Sequence, residues 1–195
     1  AFGLAIFILL TTWKRGRELL HERMAADALQ LKPFIEDITT SGIGRVPGTA
    51  IFMTPAPESV PHALLHSLKH YKTLHEQVVI LSVSVFDVPY VPDIDRVEVH
   101  RLAGNFSQVI VQYGFKDEPD IPAALGLCAA GGLHIDMMDA SFFLGRETLI
   151  PKLESDMAYW RELLFVAMFR NASSATAFFR IPSNRVVELG SQIVL

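Results

Sequence analysis

The sequence predicts an α/β or α+β domain with a mixed sheet, preceded by the end of a transmembrane helix and a linker helix. Apolar strand-like runs alternate with helical stretches from residue 49 onward, and two of those runs flank a short turn as a hairpin does. The apolar run 1–10 stands apart from this alternation and precedes a basic cluster. Hydrophobic residues make up 50% of the 195 positions, which excludes wholesale disorder.

The first segment is typical of a membrane helix that reaches the lipid headgroups. Its apolar run is followed by Trp13 and then by Lys14, Arg15 and Arg17, and indole rings and cations both gather at the cytoplasmic interface. Because a span needs ~20 apolar residues, we expect residues 1–12 to be the cytoplasmic end of a longer, last transmembrane helix. A buried soluble helix is the alternative. A secretory signal is excluded, since its cations precede the apolar run.

Residues 13–38 are predicted as an interfacial linker helix. Leu19, Leu20, Met24 and Leu31 repeat at helical spacing, and Pro33 is expected to end or bend the helix. The Gly-, Ser-, Thr- and Pro-rich stretch 39–48 predicts a loop, and residues 39–195 are then one cytoplasmic C-terminal domain.

The elements of that domain are predicted from the spacing of apolar residues and from the Gly and Pro residues that interrupt it. We predict strands at 49–54, 78–86, 97–102, 106–115 and 141–149, and helices at 61–75, 122–130 and 153–170. The helix 153–170 carries an apolar stripe formed by Leu153, Met157, Trp160, Leu164 and Ala167. Trp160 is therefore expected in the core. A last helical turn is predicted through Leu189, ended by Gly190.

Charge and cysteine content restrict the partners. The net charge is −4, but residues 13–32 are basic, which suits anionic lipid headgroups. The remaining chain is acidic, which argues against nucleic acid as a partner. The single cysteine, Cys128, has no intrachain partner, so it is predicted to be an inert helix residue in a reducing compartment.

Catalytic motifs are absent from the sequence. There is no nucleophile elbow, phosphate-binding loop, His-Glu-x-x-His motif or second cysteine for a zinc pair. Gly42, Gly44 and Gly48 precede a strand, whereas a dinucleotide fingerprint follows one. Asp136 and Asp139 are interpreted as turn and cap residues. We therefore expect no enzyme, no cofactor and no metal site.

One predicted helix concentrates ionisable side chains. His62, His66 and His70 recur every four residues with Lys69 beside them, and we call these four residues the histidine face. The first interpretation is structural or interface histidines. A pH-sensing or ligand-sensing surface is the second, because imidazoles titrate near neutrality. A metal site is the least favoured, since no Cys or carboxylate joins at ligand spacing.

Four sequence blocks and the basic cluster carry a family resemblance. The blocks are 45–54 (RVPGTAIFMT), 64–75 (LLHSLKHYKTLH), 137–147 (MMDASFFLGRE) and 178–190 (FFRIPSNRVVELG), and the cluster is 12–17 (TWKRGR). Together they resemble, in order, the C-terminal cytoplasmic region of the bacterial KUP/HAK/KT potassium uptake transporters.

The resemblance implies a regulatory and assembly domain of a multi-pass inner-membrane protein that takes up potassium with protons, the domain lying on the cytoplasmic side. It also implies that the ion-binding residues lie in membrane helices outside this chain, and a homodimer is expected. A soluble module that senses a nucleotide or second messenger is the alternative, favoured if Arg45, His66 and Lys69 converge on a pocket. An α/β metabolic enzyme is a weaker third interpretation.

Overall fold

The computed structural model describes residues 2–26, 28–152, 156–172 and 174–194. The chain divides into two compact units. The first unit consists of Ala1–Ala28, Arg146–Ser173 and Gly190–Leu195, and the second consists of Leu29–Gly145 and Ser174–Leu189.

The described elements are six helices and six strands. The helices are α1 (Phe2–Ala26), α2 (Leu31–Thr40), α3 (His62–Tyr71), α4 (Ile121–Leu127), α5 (Tyr159–Arg170) and α6 (Ala175–Phe178). The strands are β1 (Gly44–Met53), β2 (Thr73–Phe86), β3 (Val97–Arg101), β4 (Phe106–Gly114), β5 (Ala140–Ile150) and β6 (Val186–Val194). Short 3₁₀ turns occupy Asp93–Asp95, Cys128–Gly131 and Ser183–Arg185.

The six strands form one mixed sheet in the order β3-β4-β2-β1-β5-β6. The pairs β1–β2, β1–β5 and β2–β4 are parallel, with Ala50 opposite Val78 and Ser141, and Val78 opposite Phe106. β3 is antiparallel to β4, as the hairpin prediction requires. The predicted α/β class with a mixed sheet and interleaved helices is confirmed.

The core of the second unit lies on both faces of the sheet. Successive strand residues point to opposite faces. Accordingly, Val79 and Leu81 join one buried cluster with residues of α4, while Val78 and Ile80 join another with residues of α2 and α3. Burial on both faces explains the near-continuous apolar run of β2, which is typical of parallel strands between helices.

Pro33 does not end a helix, contrary to the prediction. α1 ends at Ala26, and α2 begins at Leu31 with Pro33 in its first turn. The first four N–H groups of a helix have no intrahelical partner, so proline costs no hydrogen bond there. The predicted loop 39–48 is also shorter, since β1 begins at Gly44.

The predicted helix end at His75 is also wrong. α3 ends at Tyr71, because Lys72 adopts a left-handed conformation with φ of 55°. β2 then begins at Thr73, so His75 lies on a strand.

The prediction of a final helical turn through Leu189 is wrong as well. After the 3₁₀ turn, residues 186–194 form the nine-residue strand β6, whose β-branched Val186, Val187, Ile193 and Val194 suit a strand. Gly190 is an interior residue of that strand and not a helix stop.

Trp160 is exposed, so the core prediction for this residue is wrong. α5 buries Glu162, Phe165 and Val166, while Trp160 is 56% exposed. α5 carries apolar residues around most of its circumference. The spacing of apolar residues along the sequence therefore does not identify which face of the helix is buried. Leu153, the first residue of the predicted stripe, lies outside the described residues.

Candidate functional site

The histidine face lies on α3, which crosses over between the parallel strands β1 and β2. The rings of His66 and His70 lie with their centroids 4.4 Å apart and their planes tilted by 40°, because residues four apart are neighbours on a helix. His62, Lys69 and His70 are exposed, whereas His66 is half-buried. Its buried Nδ1 has no hydrogen-bond partner within the part of the chain that the structure describes.

No group of three or more His, Cys, Asp or Glu side chains able to hold a metal ion is found among residues 2–26, 28–152, 156–172 and 174–194.

Arg45 lies at the amino-terminal edge of the parallel strands. Its Nη1 donates to the carbonyl oxygen of His75 at 3.0 Å, and its guanidinium carbon lies 5.5 Å from the ring centroid of Phe106. Among the described contacts, none joins Arg45 to His66 or Lys69. Arg45 therefore ties β1 to the starts of β2 and β4.

His75, which the sequence places just beyond the histidine face, lies at this edge. Its half-buried ring meets Phe143 edge to face at 5.7 Å. Burial lowers the pKa of His75 below its ordinary value, and the negative charge of Asp139 opposes this shift. In the sequence, His75 is a polar residue at an alternating position of a strand-like run, and this pattern is the feature that could have identified it.

The lowered pKa of His75 predicts acid sensitivity of the second unit. The unfolded imidazole titrates near pH 6.5, so between this pH and the lower folded pKa the unfolded chain binds more protons. We expect stability to be full above about pH 6.5 and to fall as the pH decreases through this window. His75→Gln should reduce that loss in urea titrations at a series of pH values. The exposed His134→Gln is the control, and an unchanged loss in His75→Gln would contradict the assignment.

An open cavity of about 410 Å³ lies at the same edge. Its lining residues are Glu76, Gln77, Arg101, Leu102, Gly104, Asn105, Phe106, Ser107, Gly132, Leu133 and His134. Arg101 Nη2 donates to the carbonyl oxygen of Gly132 at 2.7 Å, where Gly132 has φ of 77°. The lining of this cavity does not include Arg45, His66 or Lys69. The described contacts therefore do not bring these three residues together around a pocket, as a ligand sensor would require.

The carboxyl-terminal edge carries a second polar cluster, which the sequence did not indicate. Asp117 Oδ2 accepts from the backbone N–H groups of Gly114 at 2.7 Å and Val91 at 3.0 Å, and lies 3.3 Å from Arg96 Nη1. These backbone hydrogen bonds, followed by Arg96, lower the pKa of Asp117. The guanidinium of Arg96 also lies over the ring of Tyr113. This cluster fixes the loop between β2 and β3 onto the end of β4.

The predicted membrane-interface residues lie on α1, in the first unit. Trp13 is half-buried, with its ring centroid 5.6 Å from that of Phe165. Arg15 pairs with Glu18 at 3.5 Å, while Lys14 and Arg17 are exposed. Ahead of them, large apolar side chains are exposed at Phe2, Leu4, Ile6, Phe7, Leu9 and Leu10.

Hydropathy along the described helices gives a separate result. No helix among the described residues is both long enough and apolar enough to cross a membrane.

The four blocks that resemble the potassium transporters occupy defined places in the fold. Block 45–54 covers most of β1, 64–75 covers most of α3 and the start of β2, 137–147 covers the first part of β5, and 178–190 leads into β6. Because β1 and β2 are the inner strands of the sheet, the resemblance involves the centre of the fold. The class it defines is a C-terminal domain of a potassium transporter.

Comparison with known proteins identifies the family. The model of the K+ potassium transporter C-terminal domain matches residues 47–195, and the chain belongs to this family. It is 82% identical over 195 residues to the probable potassium transport system protein Kup 3 of Dechloromonas aromatica (strain RCB), covering 100% of the chain and 31% of that protein.

Two further relatives carry the same description. The chain is 61% identical to the probable potassium transport system protein Kup 1 of Dechloromonas aromatica (strain RCB), covering 99% of the chain and 31% of that protein. It is 58% identical to the probable potassium transport system protein Kup of Azoarcus sp. (strain BH72), covering 99% of the chain and 30% of that protein. The chain thus spans under a third of the length of these relatives, whose names are those of transporters and not of enzymes. No solved structure matches the chain.

Proposed function

We propose that this chain is the cytoplasmic regulatory and assembly domain of a potassium uptake transporter of the inner membrane. In this proposal, potassium and protons pass together through a membrane bundle formed by other parts of the protein. The observation that carries the proposal is membership of the K+ potassium transporter C-terminal domain family, together with the 31% share of the relative's length that the chain covers.

The surface of α1 supports the proposed attachment to the membrane. Its first three turns expose large apolar side chains, including Phe2, Phe7 and Leu10, and the exposed cations Lys14 and Arg17 follow. Large exposed apolar patches mark surfaces that are covered in the working protein. We propose that residues 1–12 end a membrane helix and that Trp13 to Arg17 lie among anionic headgroups on the cytoplasmic side.

A domain outside the ion path can act on transport only by contacting two states of the membrane bundle differently. The proposed route is α1, because it joins the apolar segment to the packed core of the first unit through Leu19 and Leu20. We propose two copies per transporter, each contributing one domain.

Potassium uptake tests this function directly. A full-length transporter truncated after residue 28 is expected to retain potassium uptake at an altered rate, because ion passage occurs elsewhere. Uptake is measured in cells lacking other potassium transporters, and membrane levels are matched by immunoblotting. Loss of all uptake at normal membrane level would place the domain in the ion path. Unaltered uptake under every condition would remove the regulatory role.

The histidine face is the proposed position of a response to cytoplasmic pH. In the same assay, replacing His62, His66 and His70 together by Gln should flatten the dependence of uptake on internal pH between about 6 and 8. The matched control replaces the exposed His21, His100 and His134 by Gln. An unchanged pH profile in the first variant would assign these histidines to a structural role.

A further inference from the structure

An exposed apolar surface lies at the carboxyl-terminal edge of the sheet, in the second unit. Six large apolar side chains form it, at the end of β2, in the loop that follows β2 and directly after β4, and each is 44% to 88% exposed: Val85, Phe86, Val88, Tyr90, Ile94 and Phe115. We call these six residues the apolar edge. Single exposed apolar residues are common on protein surfaces, whereas a large group of them marks a surface that binds a partner.

Backbone pairing holds the apolar edge in place. Phe86 lies opposite Gly114 where β2 and β4 pair. The N–H of the next residue, Phe115, donates to the carbonyl oxygen of Val88 at 2.9 Å. The loop after β2 is also fixed by the hydrogen bonds of the Asp117 carboxylate described above. An ordered surface loses less conformational entropy on binding, so the apolar edge is pre-organised for a partner.

The apolar edge is surrounded by negative charge. The loop 87–95 contains no Lys or Arg, and its carboxylates at Asp87, Asp93 and Asp95 are exposed. Asp93 pairs with Arg96 at 3.1 Å, whereas none of the described contacts gives Asp87 or Asp95 a cation. An apolar surface with carboxylates around it is complementary to a partner that carries both apolar and cationic side chains.

We propose that the apolar edge binds a Lys- and Arg-rich cytoplasmic segment of the membrane-embedded part of the same transporter. This inference rests on the proposed function and supplies the contact through which the domain acts. The chain covers 31% of the length of its relative Kup 3 of Dechloromonas aromatica (strain RCB), so the partner segment belongs to the remaining part of the transporter. Cytoplasmic loops of membrane proteins carry an excess of Lys and Arg, which matches the carboxylates around the apolar edge.

Charge disfavours two other occupants of this surface. Anionic lipid headgroups attract Lys and Arg, and they repel the carboxylates of the loop 87–95. A second copy of the chain, related by a two-fold axis, presents the same surface from the other side. Its Asp87, Asp93 and Asp95 then approach an equally acidic surface, and juxtaposed like charges are unfavourable.

Photo-cross-linking in the full-length transporter tests the contact. The photoreactive amino acid p-benzoylphenylalanine is incorporated in place of Ile94, which is 88% exposed, and native membranes are irradiated. Mass spectrometry of the digested protein should then find residue 94 joined to a Lys- or Arg-rich loop between membrane helices. Met138, which is 75% exposed and outside the apolar edge, is the control position and should lack this product. A product with a second copy of residues 29–189, with lipid alone or with nothing would overturn the proposal.

Charge reversal tests the role of the carboxylates. Asp87→Lys combined with Asp95→Lys should remove most of the cross-linked product. The matched control reverses two exposed carboxylates of α2, Glu36→Lys with Asp37→Lys, and should keep the product. Equal yields from the two double variants would overturn the proposed cationic partner. Cross-linking measures proximity and not potassium uptake. A loop product with uptake unaltered by truncation would therefore keep this contact and remove the regulatory role, whereas altered uptake without the product would do the reverse.

Discussion

Replacing Phe165 by Ala is expected to destabilise the first unit by about 3 to 5 kcal/mol, the range for truncating a buried aromatic ring. Phe165 is 0% exposed and packs in a cluster with Leu19, Leu20 and Val166. Trp160→Ala is the matched control on the same helix. Because Trp160 is exposed, its replacement should change stability by less than about 1 kcal/mol.

Urea titration followed by tryptophan fluorescence measures both variants. The two tryptophans of the chain, Trp13 and Trp160, lie in the first unit, so the signal reports on this unit. Trp13 remains as the reporter when Trp160 is replaced. A similar loss of unfolding free energy in the two variants would contradict the burial of Phe165 and the exposure of Trp160 on α5.

Gly114→Ala is expected to destabilise the second unit by about 1 to 3 kcal/mol, the usual cost of forcing extra atoms into a packed site. An added Cβ would lie 2.5 Å from the carbonyl oxygens of Val88 and Pro89, which is well inside van der Waals contact. These atoms are backbone and are fixed, since the same two oxygens accept from the N–H groups of Phe115 and Lys116 at 2.9 Å. The loop must therefore move as a whole.

The control for this change is Gly126→Ala, on α4. No atom lies within 4 Å of a Cβ added at Gly126, and alanine is the better helix former. Far-ultraviolet circular dichroism in urea should show a lowered midpoint for Gly114→Ala and an equal or raised midpoint for Gly126→Ala. Hydrogen exchange should locate the loss at the amides of Val91 and Phe115. A normal midpoint for Gly114→Ala would contradict the described contact.

The local pattern of the sequence was sufficient for the central strands. β2 is a long run rich in β-branched residues, and a turn containing Gly104 separates β3 from β4. Residue type and the position of the turn therefore both indicate these strands. β6 was missed because its interior Gly190 has the sequence signature of a helix stop. Trp160 was misplaced because apolar residues surround α5, and the choice of buried face depends on a partner distant in sequence.

The candidate sites depended still more on distant contacts. The spacing of His66 and His70 is visible in the sequence, and the structure places the two ring centroids 4.4 Å apart. The contact of Arg45 with His75 and the cluster of Asp117 with Val91 and Arg96 join residues about 20 to 30 positions apart. Such pairs follow from sheet order, which a single sequence does not specify.

Gly16 lets α1 and α5 pack in direct contact, through the ring of Phe165. A Cβ at position 16 would lie within 2.4 Å of the Phe165 ring, so the ring rests directly on the backbone of α1. Four residues earlier, Thr12 Oγ1 accepts from Arg161 Nε at 3.0 Å. Because no side chain of α1 lies between its backbone and the Phe165 ring, we expect a tilt or rotation of α1 to displace α5 as well.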